Sequence, residues 1–280
     1  MEHPPDYEKL VPRALNGDLP ALEEIIRSIK DQIFNLSMRF LWHPQDAEDA
    51  TQEIILKIVL HLSQFEFRSA FTTWTYRIAM NYLIDAKRSR LERSHVSFDA
   101  IGDELRNMPS QDPHKEEEML ADAQWKETIE RVKTACTHAM LHCLDRENRA
   151  AFLLGELFGM DSRDAAWVLS ISPEAYRQRL SRARSRVQDF MHSHCGLMNS
   201  SNKCRCSQRA CQIQSKSLLD RYLTLADRLE TIEDYAPPSP ADQLSGELEK
   251  LMVIYRHNRR YRAPQTLLVR IRRGLGLTSD

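Results

Sequence analysis

Met160-Asp-Ser-Arg-Asp-Ala-Ala-Trp-Val-Leu-Ser-Ile-Ser-Pro-Glu-Ala-Tyr-Arg-Gln-Arg-Leu-Ser-Arg-Ala-Arg-Ser-Arg186 reads as two helices joined by a tight turn. Ser162 is placed to cap a short first helix whose Ala165, Ala166 and Leu169 face inward. Ser170-Ile171-Ser172 makes the turn, with Ile171 as its apolar plug. Ser172 caps the second helix, and Pro173 falls at its first position, where a missing N–H costs nothing. Tyr176, Leu180, Ala183 and Val187 recur at three- and four-residue steps as a buried stripe. Arg177, Gln178, Ser181, Arg182 and Arg184 are left to the outside.

That is the helix-turn-helix arrangement, whose second helix enters the major groove of DNA. Arg177 and Gln178 are side chains that can bond guanine and adenine edges. Arg179, Arg182, Arg184 and Arg186 would meet phosphates, which position a helix without reading sequence. The plain alternative is a basic helix of a generic bundle. Cap, plug and stripe in one register favour DNA.

Upstream, residues 46–62 form an amphipathic helix with Ala47, Ala50, Ile54, Ile58 and Leu62 on one face. Asp46 is its expected N-cap, and Asp46, Glu48 and Asp49 suit the positive end of the helix dipole. Asp49, Gln52, Glu53 and Lys57 lie toward another face, which serves either solvation or docking. The next helix, about 70–90, follows Phe65 and Phe67. It holds Phe71, Trp74, Tyr76 and Tyr82, then Arg77, Lys87, Arg88 and Arg90. Aromatics of this kind either stack on unpaired bases or pack a core.

The composition is consistent with helices throughout. Gly is scarce at 8 residues while charged residues reach 28%, a balance that favours helix over sheet. The expected fold is all-α: two small helical domains at 5–92 and 124–192, a flexible linker at 93–123, and a helical extension at 193–280. The net charge of -1 announces no nucleic-acid binder, so only local charge can. Basic residues gather at 87–93, 177–186 and 256–273, and acidic ones at 46–53 and 116–118. No apolar run reaches the roughly 20 residues of a membrane span, so neither membrane insertion nor a targeting signal is expected. The chain is expected in the cytoplasm.

Together these segments resemble the sigma-70 family of RNA polymerase sigma factors, in its extracytoplasmic-function (ECF) branch. Asp46-Ala-Glu-Asp-Ala-Thr-Gln-Glu53 looks like the region 2.2 helix that docks on the polymerase clamp. Phe71-Thr-Thr-Trp-Thr-Tyr-Arg-Ile-Ala-Met-Asn-Tyr-Leu-Ile-Asp85, with Ala86-Lys-Arg-Ser-Arg90, looks like the promoter-melting and −10-reading helix. Residues 124–192 look like region 4. The resemblance covers about residues 10–192 and implies core RNA polymerase and promoter DNA as partners, with an anti-sigma factor as a further one.

By that resemblance Asp49, Gln52 and Glu53 contact polymerase. Trp74, Tyr76, Arg77 and Asn81 fall in the strand-separating helix, and Lys87, Arg88 and Arg90 hold promoter backbone. The loop Ser63 to Ala70 lies near an extruded −10 base. Ser172, Arg177, Gln178, Arg179 and Arg182 serve the −35 element. Trp167 and Tyr176 are bulkier than the aliphatic residues usual in the family. The linker runs through the polymerase channel, with its acidic stretch Asp112 to Glu118 imitating nucleic-acid charge.

About 90 residues follow the resemblance, beginning His192-Ser-His-Cys-Gly-Leu-Met-Asn-Ser-Ser-Asn-Lys-Cys-Arg-Cys206, with Cys211 beyond. His194, Cys195, Cys204, Cys206 and Cys211 carry the soft donors that zinc or copper(I) takes, although the Cys-x-Cys spacing is not that of a common zinc knuckle. Metal site, thiol redox switch and inert thiols are the three readings. No cofactor is required by any of them. Cys136 and Cys143 look like ordinary buried small residues. Helices are expected at about 216–233, 241–260 and 264–275. The extension is either an appended helical domain or a built-in regulator.

No Gly-rich phosphate loop, H-E-x-x-H pair or nucleophile elbow occurs, so an enzyme is not expected. The rival function is a metal- or redox-sensing helix-turn-helix regulator that does not engage polymerase. It leaves the acidic helix and the aromatic-basic helix unexplained.

Overall fold

The computed structural model describes residues 5–86, 96–107, 123–211, 231–232 and 260–277. The first unit is built on α2 (Leu19–Leu41), against which α1 (Tyr7–Leu15), α3 (Pro44–Leu60) and α4 (Phe71–Asp85) pack. Asp18 caps α2 by accepting from the Ala21 N–H at 3.1 Å. Ile25, Ile26, Ile29, Ile33 and Phe34 then recur at helical spacing and are fully buried. They meet Ala47, Ala50, Ile54 and Ile58 of α3 and Ala79, Met80 and Leu83 of α4.

The start of α3 differs from the expected cap at Asp46. Pro44 opens the helix two residues earlier, because it has no N–H to satisfy there. His43 becomes the cap, its Nδ1 accepting from the Asp46 N–H at 3.3 Å.

The second unit comprises α6 (Ala123–His142), α7 (Arg146–Phe152) running on through one wide turn at Leu153–Leu157, α8 (Ser162–Val168) and α9 (Pro173–His194). Helix α5 (Phe98–Arg106) docks on α9 from within the stretch expected as a solvated linker. Ser97 caps it, Ile101 and Leu105 are buried, and the Phe98 ring lies 5.2 Å from that of Phe190. The polar residues that suggested a linker form the outer face of this short amphipathic helix. The acidic stretch 112–118 falls outside the described residues.

The helix-turn-helix folds as its residues dictate, with one correction. Asp161, not Ser162, caps α8, accepting the N–H groups of Arg163 and Asp164 at 2.8 and 2.9 Å. A carboxylate is the stronger acceptor at a positive helix end. Ser172 caps α9 as expected, accepting from the Ala175 N–H at 3.1 Å. The bulk of Tyr176 is accommodated by Gly155: a Cβ there would stand 2.5 Å from the Tyr176 hydroxyl. That hydroxyl donates to the Ala151 carbonyl at 3.3 Å.

Three pieces of the extension are described. Helix α10 (Cys206–Cys211) packs on α6. Strands β1 (Thr231–Ile232) and β2 (Arg260–Tyr261) pair antiparallel where the ends of two helices were expected. They are the one strand pair among the described residues. Helix α11 (Gln265–Gly274) matches the helix expected at 264–275 and packs on α3. Among the described residues no helix is long and apolar enough to cross a membrane.

The two helical units close on each other through two arginines of α7, one turn apart. Arg149 is buried and donates to the Leu141, His142 and Leu144 carbonyls at the end of α6 and to the Phe40 carbonyl at the end of α2. Arg146 donates to the Leu83, Ile84 and Ala86 carbonyls at the end of α4. A fixed positive charge at the negative ends of three helices is favourable, and here it joins the units.

Candidate nucleic-acid interface

Helix α9 presents the most complete surface for DNA. Ser172, Arg177, Gln178 and Arg182 are exposed, and Arg179 is half-buried. The free chain holds the reading residues with a local acid. Glu174 pairs with Arg177 at 2.8 Å and accepts from the Gln178 amide at 3.4 Å. The Arg177 guanidinium holds the Glu174 carboxyl below its ordinary range. Arg184, expected to face phosphate, is instead paired with Glu156, whose carboxylate is buried. An arginine one turn deeper on the helix is needed to neutralise that acid, so it is not part of the outer face.

Helix α4 divides its aromatics between core and interface. Trp74 is half-buried in a cluster with Phe65 and Phe71, at ring separations of 5.3 and 5.6 Å. Tyr76 is buried with its ring edge on Phe158 of the second unit, 5.4 Å away. Arg77 lies over the Trp167 ring of α8 at 4.4 Å. Of the four residues expected on the strand-separating helix, only Asn81 is exposed. Lys87, Arg88 and Arg90 lie outside the described residues.

The loop before α4, expected near an extruded −10 base, carries Phe67. Phe67 holds a left-handed backbone at φ +58° and is 46% exposed. A bulky residue in that region of backbone space is strained, and strain persists where the surroundings impose it. Its ring lies 4.6 Å from that of Phe65, tilted to it.

On α3, Asp49 and Glu53 are exposed and Gln52 is half-buried, on the face away from the apolar stripe. Asp49 is already engaged. Its Oδ1 accepts from Arg270 of α11 at 2.7 Å, and Arg270 also lies 3.6 Å from Glu48. Burial pushes the Glu48 carboxyl up, opposed by Arg270.

The cysteines rearrange the expected ligand set. Cys195 and Cys204 face each other in a parallel bridge, with the Gly196 N–H donating to the Cys204 carbonyl at 3.0 Å. A Cβ on Gly196 would stand 2.4 Å from that carbonyl, so this turn requires glycine. Cys206 heads α10, which lies on α6, and Cys136 of α6 joins the group electrostatically. Burial, then neighbouring sulfurs, push the thiols up: Cys204 to about 11, Cys206 to about 12 and Cys136 well above its ordinary value.

His194 is not among them. Its ring lies tilted against that of Phe190, 4.8 Å away, and its Nε2 lies 3.4 Å from the Arg106 Nη1, because the end of α9 turns that side chain toward α5. The Cys211 side chain lies outside the described residues. Among the described residues, no three His, Cys, Asp or Glu side chains stand close enough to ligate a metal as placed.

Sequence reasoning missed Trp42, Cys136, Arg149 and Arg270. Cys136 and Arg149 sit in ordinary helical runs, and no local signal marks a contact made with a distant part of the chain.

Comparison with known proteins agrees with the order of these surfaces. Residues 25–92 match Sigma-70 region 2 and residues 134–187 match Sigma-70, region 4. The ECF RNA polymerase sigma factor SigE of Mycolicibacterium smegmatis is 24% identical over 63% of this chain and 63% of its own length. The RNA polymerase sigma-H factor of Pseudomonas aeruginosa is 29% identical over 64% of this chain and 91% of its own. The ECF RNA polymerase sigma factor SigW of Bacillus subtilis is 32% identical over 37% of this chain and 56% of its own. The chain thus spans under two thirds of two of these relatives. With both regions in order, an acidic α3 and a capped recognition helix, the chain belongs to the sigma-70 family of RNA polymerase sigma factors, in its ECF branch.

Proposed function

We propose that the chain docks on core RNA polymerase through Asp49, Gln52 and Glu53 of α3 and directs it to promoters. In this reading α4 and the Phe67 loop separate and hold the −10 strand, while α9 reads the −35 element with Arg177 and Gln178. Arg182 meets phosphate there. The observation that carries it is the exposed Arg177-Gln178 pair at the start of a helix whose cap and stripe are those of a recognition helix. The chain supplies recognition and melting and catalyses no bond change of its own. Its place of work is the cytoplasm, with an anti-sigma protein as an additional partner. In vitro transcription with core polymerase and a promoter library tests this: start sites that require the chain are expected, and failure to start any transcript overturns it.

The extension adds regulation in this reading. A soft metal, zinc or copper(I), would have to draw Cys195, Cys204, Cys206 and Cys136 of region 4 together, since as placed no three of them are close enough to ligate one. Four sulfur donors suit a tetrahedral ion, and binding would release their protons. Titration of the reduced full chain with Co²⁺, followed by thiolate charge-transfer absorption, is expected to saturate at one equivalent and to weaken in Cys204→Ser and Cys136→Ser. No absorption change would leave the thiols inert or redox-active instead.

A further inference from the structure

The acidic face of α3 is covered by part of the same chain. Arg270 of α11 reaches both Asp49, at 2.7 Å, and Glu48, at 3.6 Å. Arg272 reaches Glu23 of α2 at 2.7 Å. Only Leu267 and Ile271 of α11 are fully buried beneath, and Gly274 lies close to Leu56 of α3, where a Cβ would stand 3.2 Å from the leucine methyl. The cover is therefore a short helix with a narrow apolar stripe and half-exposed ion pairs.

Its tether is of a different kind. Asn35 of α2 accepts from the Tyr261 N–H at 2.7 Å and donates to the Tyr261 carbonyl at 2.6 Å, both buried. Asp31 accepts from the Ala263 N–H at 2.9 Å. Tyr261 is buried with its ring edge on Trp42. The segment before α11 is thus fixed by buried hydrogen bonds, while α11 itself is held by exchangeable charge pairs. A tethered element of this kind competes at high effective concentration and still lets go.

We propose that α11 is a built-in mask of the docking face: it occupies Asp49 and Glu48 of α3 and must be displaced before core RNA polymerase binds there. The inference rests on the reading of α3 as the polymerase-docking surface and adds the element that controls access to it. Charge complementarity names the occupant. A basic helix of this chain already pairs with Asp49 of the docking set and with Glu48 beside it.

The test is the affinity of the full chain for core polymerase, by anisotropy of a dye-labelled protein. Arg270→Glu replaces two attractions with two repulsions and is expected to bind about 5- to 30-fold more tightly than wild type. Arg272→Glu is expected to move the same way by less, and Arg270→Lys to stay near wild type. Added salt should narrow the gap, since the ion pairs are partly exposed. Equal affinity for wild type and Arg270→Glu, with both folded by circular dichroism, overturns the mask, as does weaker binding by the variant. If neither protein binds polymerase at any salt, the sigma reading fails first, and the mask falls with it.

Discussion

The imidazole of His138 lies flat on the indole of Trp42, ring centroids 3.5 Å apart and planes within 13°. Trp42 ends α2 in a left-handed conformation at φ 48° and is fully buried. His138 comes from α6 of the second unit and Tyr261 from the extension, so one tryptophan is touched by all three parts of the chain. The stack adds to Arg146, Arg149 and the Tyr76–Phe158 contact in holding regions 2 and 4 closed.

That stack is acid-sensitive. Burial holds His138 well below its ordinary value of 6.5, assisted by the Arg39 charge, and His142 one turn on is depressed by burial and by Arg149. Both histidines are neutral when folded but take protons when unfolded below about pH 6.5. The unfolded state then binds more protons, so their contribution is present above that pH and is lost as pH falls. Urea unfolding at pH 7.5 and 5.5 should show a loss of up to about 1.4 kcal/mol per unit and per histidine below pH 6.5. His138→Phe should remove its share of that slope. An unchanged slope would place the acid sensitivity elsewhere.

Arg149 predicts a second cost. Its guanidinium serves carbonyls at the ends of two helices and is buried, so replacing it by Met orphans those acceptors. Losing charge-assisted bonds of this kind costs about 2–4 kcal/mol. Arg149→Met should lower the urea midpoint accordingly, whereas Arg146→Met, at a half-buried site, should cost less. Equal small losses would mean that the helix ends find other partners.

The elements themselves were legible because their periodicity is local. The stripe Ala47, Ala50, Ile54, Ile58 and the cap Ser172-Pro173 each specify a helix within a dozen residues. Asp49 and Glu53 stand exposed on α3 for the same reason, while Gln52 is half-buried. The relations between units were not legible. Nothing near Arg270 points to Asp49, and nothing near Cys136 points to Cys204, because such pairings are chosen by packing. Tyr76 and Arg77 show the limit most plainly. Their types fit DNA, yet in the closed chain they are spent on Phe158 and Trp167.

Phe67 is expected to separate stability from melting. Its positive φ costs energy in the folded chain, so Phe67→Gly should leave stability unchanged or raise it slightly. If this exposed aromatic receives a base, the loss of stacking should weaken open-complex formation by about 1–3 kcal/mol. Permanganate footprinting of the melted strand, set beside thermal unfolding, reads both. A variant that melts promoters normally would reduce Phe67 to a strained packing residue.

Arg177 and Arg182 are both exposed on α9, but they should fail in different ways. Arg177 sits in the first turns beside Gln178, where base edges are read, while Arg182 lies further along, where the helix passes phosphate. Arg177→Ala should cost about 1–3 kcal/mol on the preferred −35 sequence and relax the choice of base there. Arg182→Ala should weaken all sequences alike and reduce the salt slope of binding by about 1. Glu174 sharpens the contrast, because it holds Arg177 in the free chain and must release it on DNA. Glu174→Gln should therefore tighten binding without changing the preferred sequence. Holoenzyme binding to a panel of −35 variants at several salt concentrations separates the three, and indistinguishable profiles for Arg177→Ala and Arg182→Ala would remove base reading from α9.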